Sequence, residues 1–260
     1  MSVPGSIDAE TARHWYQRWE SQQQQYAGDR EERFEAVLDV VAAVCVRPRV
    51  IVDLGSGPGS LATRAARRFP DATVVAVDHD PFLTSLGVSA HPELDFVSVS
   101  IGAVGWTGAL ERYAGRVDAI VSSTALHYPP PDVLAAIYRD CAGLLDQRAV
   151  LVNADQFYPG DEGWNSTLSG IDDVRRARNG STPSEDWAQW WRAVDSEPAF
   201  ADSLACRAAT LPVHEGDNLL SCDDHIALML RAGFAVAGTV WQHGRSAVVA
   251  GVPETGRSFR

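Results

Sequence analysis

The segment Val50-Ile51-Val52-Asp53-Leu54-Gly55-Ser56-Gly57-Pro58-Gly59, followed by Val74-Val75-Ala76-Val77-Asp78, most constrains what this chain can fold into. An apolar run of strand character ends at an acid and opens into a glycine-rich turn. A helical pattern follows, then a second apolar run that also ends in an acid. Glycine carries no Cβ and accepts positive φ, so such a turn brings backbone close to a ligand. The second acid stands where a nucleotide-binding α/β sheet holds a pair of ribose hydroxyls.

The spacing of the glycines narrows the choice. A dinucleotide fingerprint reads G-x-G-x-x-G, whereas here Gly55, Gly57 and Gly59 alternate and Ser60 stands where the third glycine belongs. A phosphate-binding loop of the G-x-x-x-x-G-K type requires a lysine, and all 22 basic residues of this chain are arginine. The absence of lysine also excludes Schiff-base chemistry.

Apolar runs alternate with helical patterns through the middle of the chain, which predicts a parallel sheet covered on both faces. Helices are expected over Asp8–Ala27 and Arg30–Val46. Strands are expected at Arg49–Leu54, Thr73–Val77, Leu94–Val99, Val117–Ser122 and Ala149–Asn153. The helices between them are expected over Ser60–Phe69, after Pro81, around Gly108–Ala114 and over Pro131–Leu145. Residues 155–218 break the rhythm and are too long for a plain connection, so they should carry helices and function of their own. Ser221-Cys222-Asp223-Asp224 has the form of a capping box opening a helix over Asp223–Ala232. Gly233 should end that helix, with a closing hairpin of Phe234–Trp241 and Ser246–Val252.

The D-x-G-x-G-x-G turn, its distance to Asp78, and the order of five strands, insertion, helix, strand and strand resemble the class I S-adenosylmethionine (SAM)-dependent methyltransferases. Ser122-Ser123-Thr124-Ala125-Leu126-His127 and Arg231-Ala232-Gly233-Phe234 are similar to later motifs of their broad small-molecule group, which includes the quinone-biosynthesis enzymes. The resemblance covers roughly residues 30–155 and 220–252. It implies a Rossmann-like, seven-stranded, mostly parallel sheet whose last strand is antiparallel. The expected organisation is an N-terminal helical cap (1–47), a SAM-binding core (48–155), a helical lid or substrate insertion (156–218) and a C-terminal completion of the core sheet (219–260).

The resemblance also assigns cofactor contacts. Gly55, Ser56 and Gly57 should pass under the methionine tail and sugar, and Asp53 should orient the loop or reach the ammonium through water. Asp78 should accept from both ribose hydroxyls. His79 lies against the adenine or in a solvent-exposed turn. The adenine edge departs from the family: Val99-Ser100-Ile101-Gly102 lacks an acid, leaving Ser100 for a hydrogen bond and Ile101 for ring packing. Ser122 and Ser123 should meet the methionine tail, and Tyr16 and Tyr26 should close over the cofactor from the first helix.

Methyl transfer is an in-line displacement, so positioning of the acceptor carries much of the rate. His127, following strand four, is the first candidate for a general base, the competing reading being a structural cap of the strand end. Asp155 at the end of strand five is the second candidate, the competing reading being an Asx-type turn. Tyr128 would shape the acceptor pocket. Trp187, Trp190 and Trp191 fall at helical spacing, either as a buried lid face or, through Trp187 and Trp191, as an aromatic wall for a flat acceptor. Arg175, Arg176 and Arg178 form a solvated face or meet an acidic acceptor. The histidines show no metal-ligand spacing, so no metal is expected.

The formal net charge of −12 repels phosphates, so no nucleic-acid partner is expected. The four scattered cysteines suit a reducing cytoplasm, and neither a secretory signal nor a bilayer-spanning run is visible. The expected activity is methylation of an oxygen or nitrogen of a small molecule, with S-adenosylhomocysteine as product. The aromatic first helix allows a homodimer. Two alternatives stand beside this: a cyclase or aminopropyl-type transferase on the same fold, and a non-catalytic SAM-binding subunit whose insertion fills the cleft with its own tryptophans.

Overall fold

A computed structural model describes residues 7–26, 28–179, 185–211 and 216–254. Seven strands form one sheet: β1 (Val50–Leu54), β2 (Thr73–Asp78), β3 (Asp95–Ser98), β4 (Val117–Ser123), β5 (Leu145–Gln156), β6 (Phe234–His243) and β7 (Ser246–Pro253). Their order is β3-β2-β1-β4-β5-β7-β6, and β7 runs antiparallel to both of its neighbours while the other pairings are parallel. The strand order reverses between β1 and β4, so the carboxyl ends of these two strands border the crevice where ligands of open α/β sheets bind.

Helices α1 (Ala9–Tyr26) and α2 (Arg30–Val44) precede the sheet. Helices α3 (Ser60–Arg68), α4 (Pro81–Ala90) and α5 (Pro131–Leu144) connect its parallel strands. The connection between β3 and β4 is a 3-10 turn over Trp106–Tyr113 rather than the expected α-helix. Gly105, at φ 73, and Gly108 in that stretch disfavour a regular α-helix. Helices α6 (Glu162–Asn179), α7 (Trp187–Asp195) and α8 (Ala201–Thr210) lie between β5 and α9 (Cys222–Ala232). Ser221 and Asp224 form the reciprocal capping box at the start of α9, and Gly233 ends it with φ 106.

Two apolar layers sandwich the sheet. Leu54, Ile120, Leu134, Tyr138 and Met229 lie in one, beside α5 and α9; Val37, Val41, Ile51, Leu61 and Val152 lie in the other, beside α2 and α3. Strand β5 begins at Leu145, well before the expected Ala149, because α5 runs straight into it and Arg148 takes up the irregularity at φ 59. A third core joins α1 and α4 to the insertion, through Trp15, Phe82, Leu86, Trp190, Val194 and Phe200. Trp15 and Phe200 meet edge-on at 5.1 Å, and Phe82 and Phe200 at 5.0 Å. The insertion is thereby held against the first helix by aromatic burial, which contributes beyond area alone.

Candidate active site

The glycine turn after β1 is shaped by both buried acids. Asp53 lies beneath it and accepts from the Ala62 amide at 3.0 Å, fixing the start of α3 relative to the strand. Burial, opposed by that hydrogen bond, raises its pKa to about 7. Asp78 ends β2 and accepts from the Gly57 amide at 2.7 Å and the Asp80 amide at 2.8 Å. Burial also pushes Asp78 above the usual carboxylate range.

Gly55 and Gly57 occupy φ 71 and 54, where a side chain is strained. A Cβ on Gly55 would stand 2.2 Å from that of Ala125, so the turn nests against the loop after β4. A Cβ on Gly57 would face Trp19 and Leu83 at 3.7 and 4.0 Å. The ring of Trp19 therefore stands over the loop. These features fit SAM: each Asp78 oxygen keeps a lone pair for a ribose hydroxyl, and the bare Gly57 backbone admits the sugar and tail.

The other expected cofactor residues distribute unevenly. Ser56 is buried in the turn. His79 is half-exposed, with Nδ1 3.9 Å from Asp78. Ser100 is exposed after β3, and Ile101 packs inward on the core beside α5. The Ser122 hydroxyl donates to the Leu54 carbonyl at 2.8 Å, tying β4 to β1. Ser123 at the strand end has its hydroxyl 3.3 Å from that of Thr124.

Tyr16 does not close over the glycine turn. Its hydroxyl lies 3.2 Å from Thr63 Oγ1 and its ring packs edge-on against His91 at 4.3 Å, so it anchors α1 to α3 and α4. Trp19, one turn onward on α1, is the aromatic ring that faces the glycine turn. The side chain of Tyr26 lies outside the described residues. Glu20 completes the anchoring, accepting from Ser60 at the start of α3 and pairing with Arg30 and Arg64. Burial would raise Glu20, but the two guanidinium groups hold it down at about 2.

At the neighbouring strand ends, His127 Nδ1 meets Asp155 Oδ1 at 2.9 Å. The Gln156 amide donates to the same oxygen, while Asp155 Oδ2 is buried without a hydrogen-bond partner among the described residues. Asp217 lies 4.0 Å from His127 Nε2. Burial alone would lower the imidazole pKa; the Asp155 carboxylate and its hydrogen bond, with Asp217 beyond, hold it above its ordinary value. Asn218 fixes the His127 loop, donating from its backbone amide to the His127 carbonyl at 2.8 Å and from Nδ2 to the carbonyls of Leu126 and Pro129. Tyr128 lies against His127, with ring centroids 4.0 Å apart.

Behind Asp155, Tyr138 and His225 share a 2.7 Å hydrogen bond, with Asn153 at 3.5 Å from the same imidazole nitrogen. Burial pushes His225 down to about 4, leaving it neutral. Arg33 of α2, 2% exposed, reaches Thr124 Oγ1 at 3.4 Å. Trp19, Arg33, Asp217 and Asn218 were not legible as site residues, since each approaches from an element distant in sequence. Thr124, at φ 57, marks the sharp turn that aims the segment.

Trp190 and Trp191 of the insertion pack into the third core. Trp191 lies 5.0 Å from Trp190 and 5.8 Å from Phe82, with the Arg207 guanidinium 4.2 Å above its ring. Arg207 in turn pairs with Asp80 after β2. This places Trp191 beside the start of α4. Trp187 is half-exposed, 6.0 Å from Trp191. Among the described residues, no group of three His, Cys, Asp or Glu side chains is placed to hold a metal, and no helix is long and apolar enough to cross a membrane.

Residues 51–148 match the family model described as a methyltransferase domain. The chain is 30% identical over 118 residues to trans-aconitate 2-methyltransferase of Deinococcus radiodurans, a match that spans 44% of this chain and only 42% of that relative. An O-methyltransferase family protein from Burkholderia thailandensis superposes with a TM-score of 0.57 at 16% identity, covering 98% of this chain and 65% of that one. Human N-acetylserotonin methyltransferase, solved with SAM, superposes with a TM-score of 0.52 at 11% identity over 91% and 58% of the two chains. At these identities the structural likeness establishes the fold. Residues 51–148, which carry the glycine turn and the two buried acids, match the methyltransferase domain, and the strand order is that of the methyltransferase fold.

Proposed function

We propose that the chain transfers a methyl group from SAM to an oxygen or nitrogen of a small molecule. The observation that carries this reading is the His127–Asp155 pair, 2.9 Å apart at the carboxyl ends of β4 and β5, beside the strand that carries the glycine turn. Asp78 would hold the ribose, the Gly55–Gly57 turn would lie under the sugar and tail, and Trp19 would cover them. Bound there, SAM supplies an electrophilic methyl on a sulfonium.

His127 takes the proton of the acceptor at Nε2, while Asp155 keeps Nδ1 as the donor and orients the ring. Asp155 is thus a positioning residue for His127, and Tyr128 lines the acceptor side. Residues 1–47 act as a cap, 48–155 and 219–260 as the core, and 156–218 as a lid fastened to the cap.

Labelled SAM incubated with hydroxyl- and amine-bearing acceptors tests the reading. Label transfer that is lost in His127→Ala is the expected result. Titration of S-adenosylhomocysteine into the wild type and Asp78→Ala tests the cofactor half separately. Absence of binding to ligand-free wild type sinks the proposal.

A further inference from the structure

A buried polar cluster beneath the candidate base has no part in the proton transfer proposed above. Its members come from three elements: Tyr138 from α5, Asn153 and Asp155 from β5, and His225 from α9, and all four are buried. Polar groups enclosed in an apolar layer are costly unless they answer one another, so the direction of each hydrogen bond among them is constrained.

Successive side chains of a strand alternate between the two faces of the sheet. Phe157 continues the pairing of β5, its amide donating to the Arg245 carbonyl at 2.9 Å. Residues 153, 155 and 157 therefore point to one face, the one covered by α5 and α9, where Leu151 and Phe157 share a core with Tyr138 and Met229. The His225 imidazole meets both outer members of that row. Asn153 Nδ2 lies 3.5 Å from its Nδ1, and the Phe157 ring packs edge-on against it at 4.9 Å. Asp155 stands between the two, so its side chain lies beside the same imidazole. Among charged groups Asp155 acts most strongly on His225, ahead of Asp224 and His127.

The proton positions follow. Burial keeps His225 neutral and keeps the proton on the Tyr138 hydroxyl. Asn153 presents an amide nitrogen, a donor, to His225 Nδ1. That nitrogen is then an acceptor, and the 2.7 Å bond to it is donated by Tyr138. The neutral imidazole carries its own proton on Nε2, on the side of the ring away from Asn153. Two oxygens of the row, Asp155 Oδ2 and Asn153 Oδ1, are buried with no hydrogen-bond partner among the described residues. One N–H and two acceptor oxygens make the set of partners that a single buried water takes.

We infer that His225 is a positioning residue for the candidate base: its Nε2–H, set by Tyr138, holds Asp155 Oδ2 through one bridging water, so that Oδ1 stays on His127 Nδ1. The role rests on the reading of His127 as the base, whereas the coupling of the two imidazoles through Asp155 does not. Without His225, Asp155 keeps donors on Oδ1 alone and is free to turn, and the bond that orients His127 loosens. The other charged groups acting on His127, Asp217 from the segment before α9 and Arg33 from α2, are untouched.

NMR titration of the His127 imidazole in the ligand-free protein tests the coupling. The wild type should titrate above the ordinary histidine value. In His225→Phe the midpoint should fall by about half a pH unit or more, because a charge-assisted hydrogen bond is weakened. His225→Gln returns an amide N–H to the place of Nε2 and should restore most of the difference. Tyr138→Phe deletes one oxygen and keeps the ring; it should move the midpoint in the same direction, which keeps the test in hand if His225→Phe fails to fold. The acidic limb of the methyl-transfer profile should move with each variant. A His127 midpoint that stays at the wild-type value in folded His225→Phe or Tyr138→Phe, or that His225→Gln leaves as low as His225→Phe does, overturns the inference. The titration needs neither cofactor nor acceptor, so failure of the methyltransferase reading shows in the rates and failure of the coupling shows in the midpoints.

Discussion

The imidazole of His127 and the carboxylate of Asp155 are joined at 2.9 Å across the carboxyl ends of two neighbouring parallel strands. Strand β4 hands its chain into a left-handed residue, Thr124, whose amide bonds the Ala154 carbonyl at 2.9 Å. That bond locks the two strand ends together, so the dyad geometry is set by the sheet.

Removal of the base should lower the rate while leaving cofactor affinity intact. His127→Ala is expected to reduce kcat by about 10²–10⁴-fold, the usual worth of a positioned general base. Single-turnover methyl transfer checks this, with S-adenosylhomocysteine titration as the control. An unchanged rate sinks the role of His127.

The pH profile should carry the mark of Asp155. The folded His127 pKa lies above its ordinary value, so the free base forms only above a correspondingly higher pH, and the rate should fall as pH drops through that value. Asp155→Asn removes the main raising influence and should move this acidic limb to lower pH while reducing the maximum. The same raised pKa gives the pair a stabilising contribution that is complete below the unfolded histidine pKa and lost as pH rises through the folded one. Thermal melting against pH in wild type and Asp155→Asn reads that difference.

Asp53 should make the ligand-free protein less stable as pH rises. Its folded pKa of about 7 exceeds the unfolded carboxylate value of about 4, so the folded state holds the proton more tightly. The associated stability is present at acid pH and disappears as pH climbs toward 7. Asp53→Asn keeps an acceptor for the Ala62 amide and should flatten that part of the melting curve against pH.

Tyr16 and Trp19 should separate packing from ligand contact. Tyr16→Phe is expected to cost about 1 kcal/mol of stability through the lost bond to Thr63, with cofactor affinity unchanged. Trp19→Ala should weaken S-adenosylhomocysteine binding, because its ring faces Gly57. Equal effects of the two substitutions on binding argue against this division.

Gly55→Ala should be far more harmful than its size suggests. The new Cβ meets Ala125 at 2.2 Å and sits at φ 71, so the turn or the β4 loop must shift. A loss of at least about 1–3 kcal/mol is expected from the backbone strain alone. Chemical denaturation of the variant measures it, and Gly55→Ala combined with Ala125→Gly should recover the steric part only.

The strands, the glycine turn and the two acids were legible because each is written in a local pattern: apolar runs, spacing of two and glycine where φ is positive. Asp53 beneath the loop and Asp78 beside it follow from strand-end position alone. The 3-10 turn at Trp106–Tyr113 and the early start of β5 were not legible, since they depend on how α5 and the sheet meet. Nor was the division of labour among aromatic residues. Tyr16 and Trp19 share the aromatic face of one helix, and only the packing of α1 on α3 and α4 decides which ring faces the glycine turn.

The sequence by itself determined the class of fold and the edge of the sheet at which ligands bind, because short-range periodicity dictates strands and turns. Tertiary structure alone decided the partners. His127 and Asp155, Trp19 and Gly57, and Arg175 and Glu32 lie far apart along the chain and carry no local pattern that links them. Their meeting is set by strand order and by the burial of apolar faces, which bring separate elements to one edge and leave their polar groups to satisfy one another or a ligand.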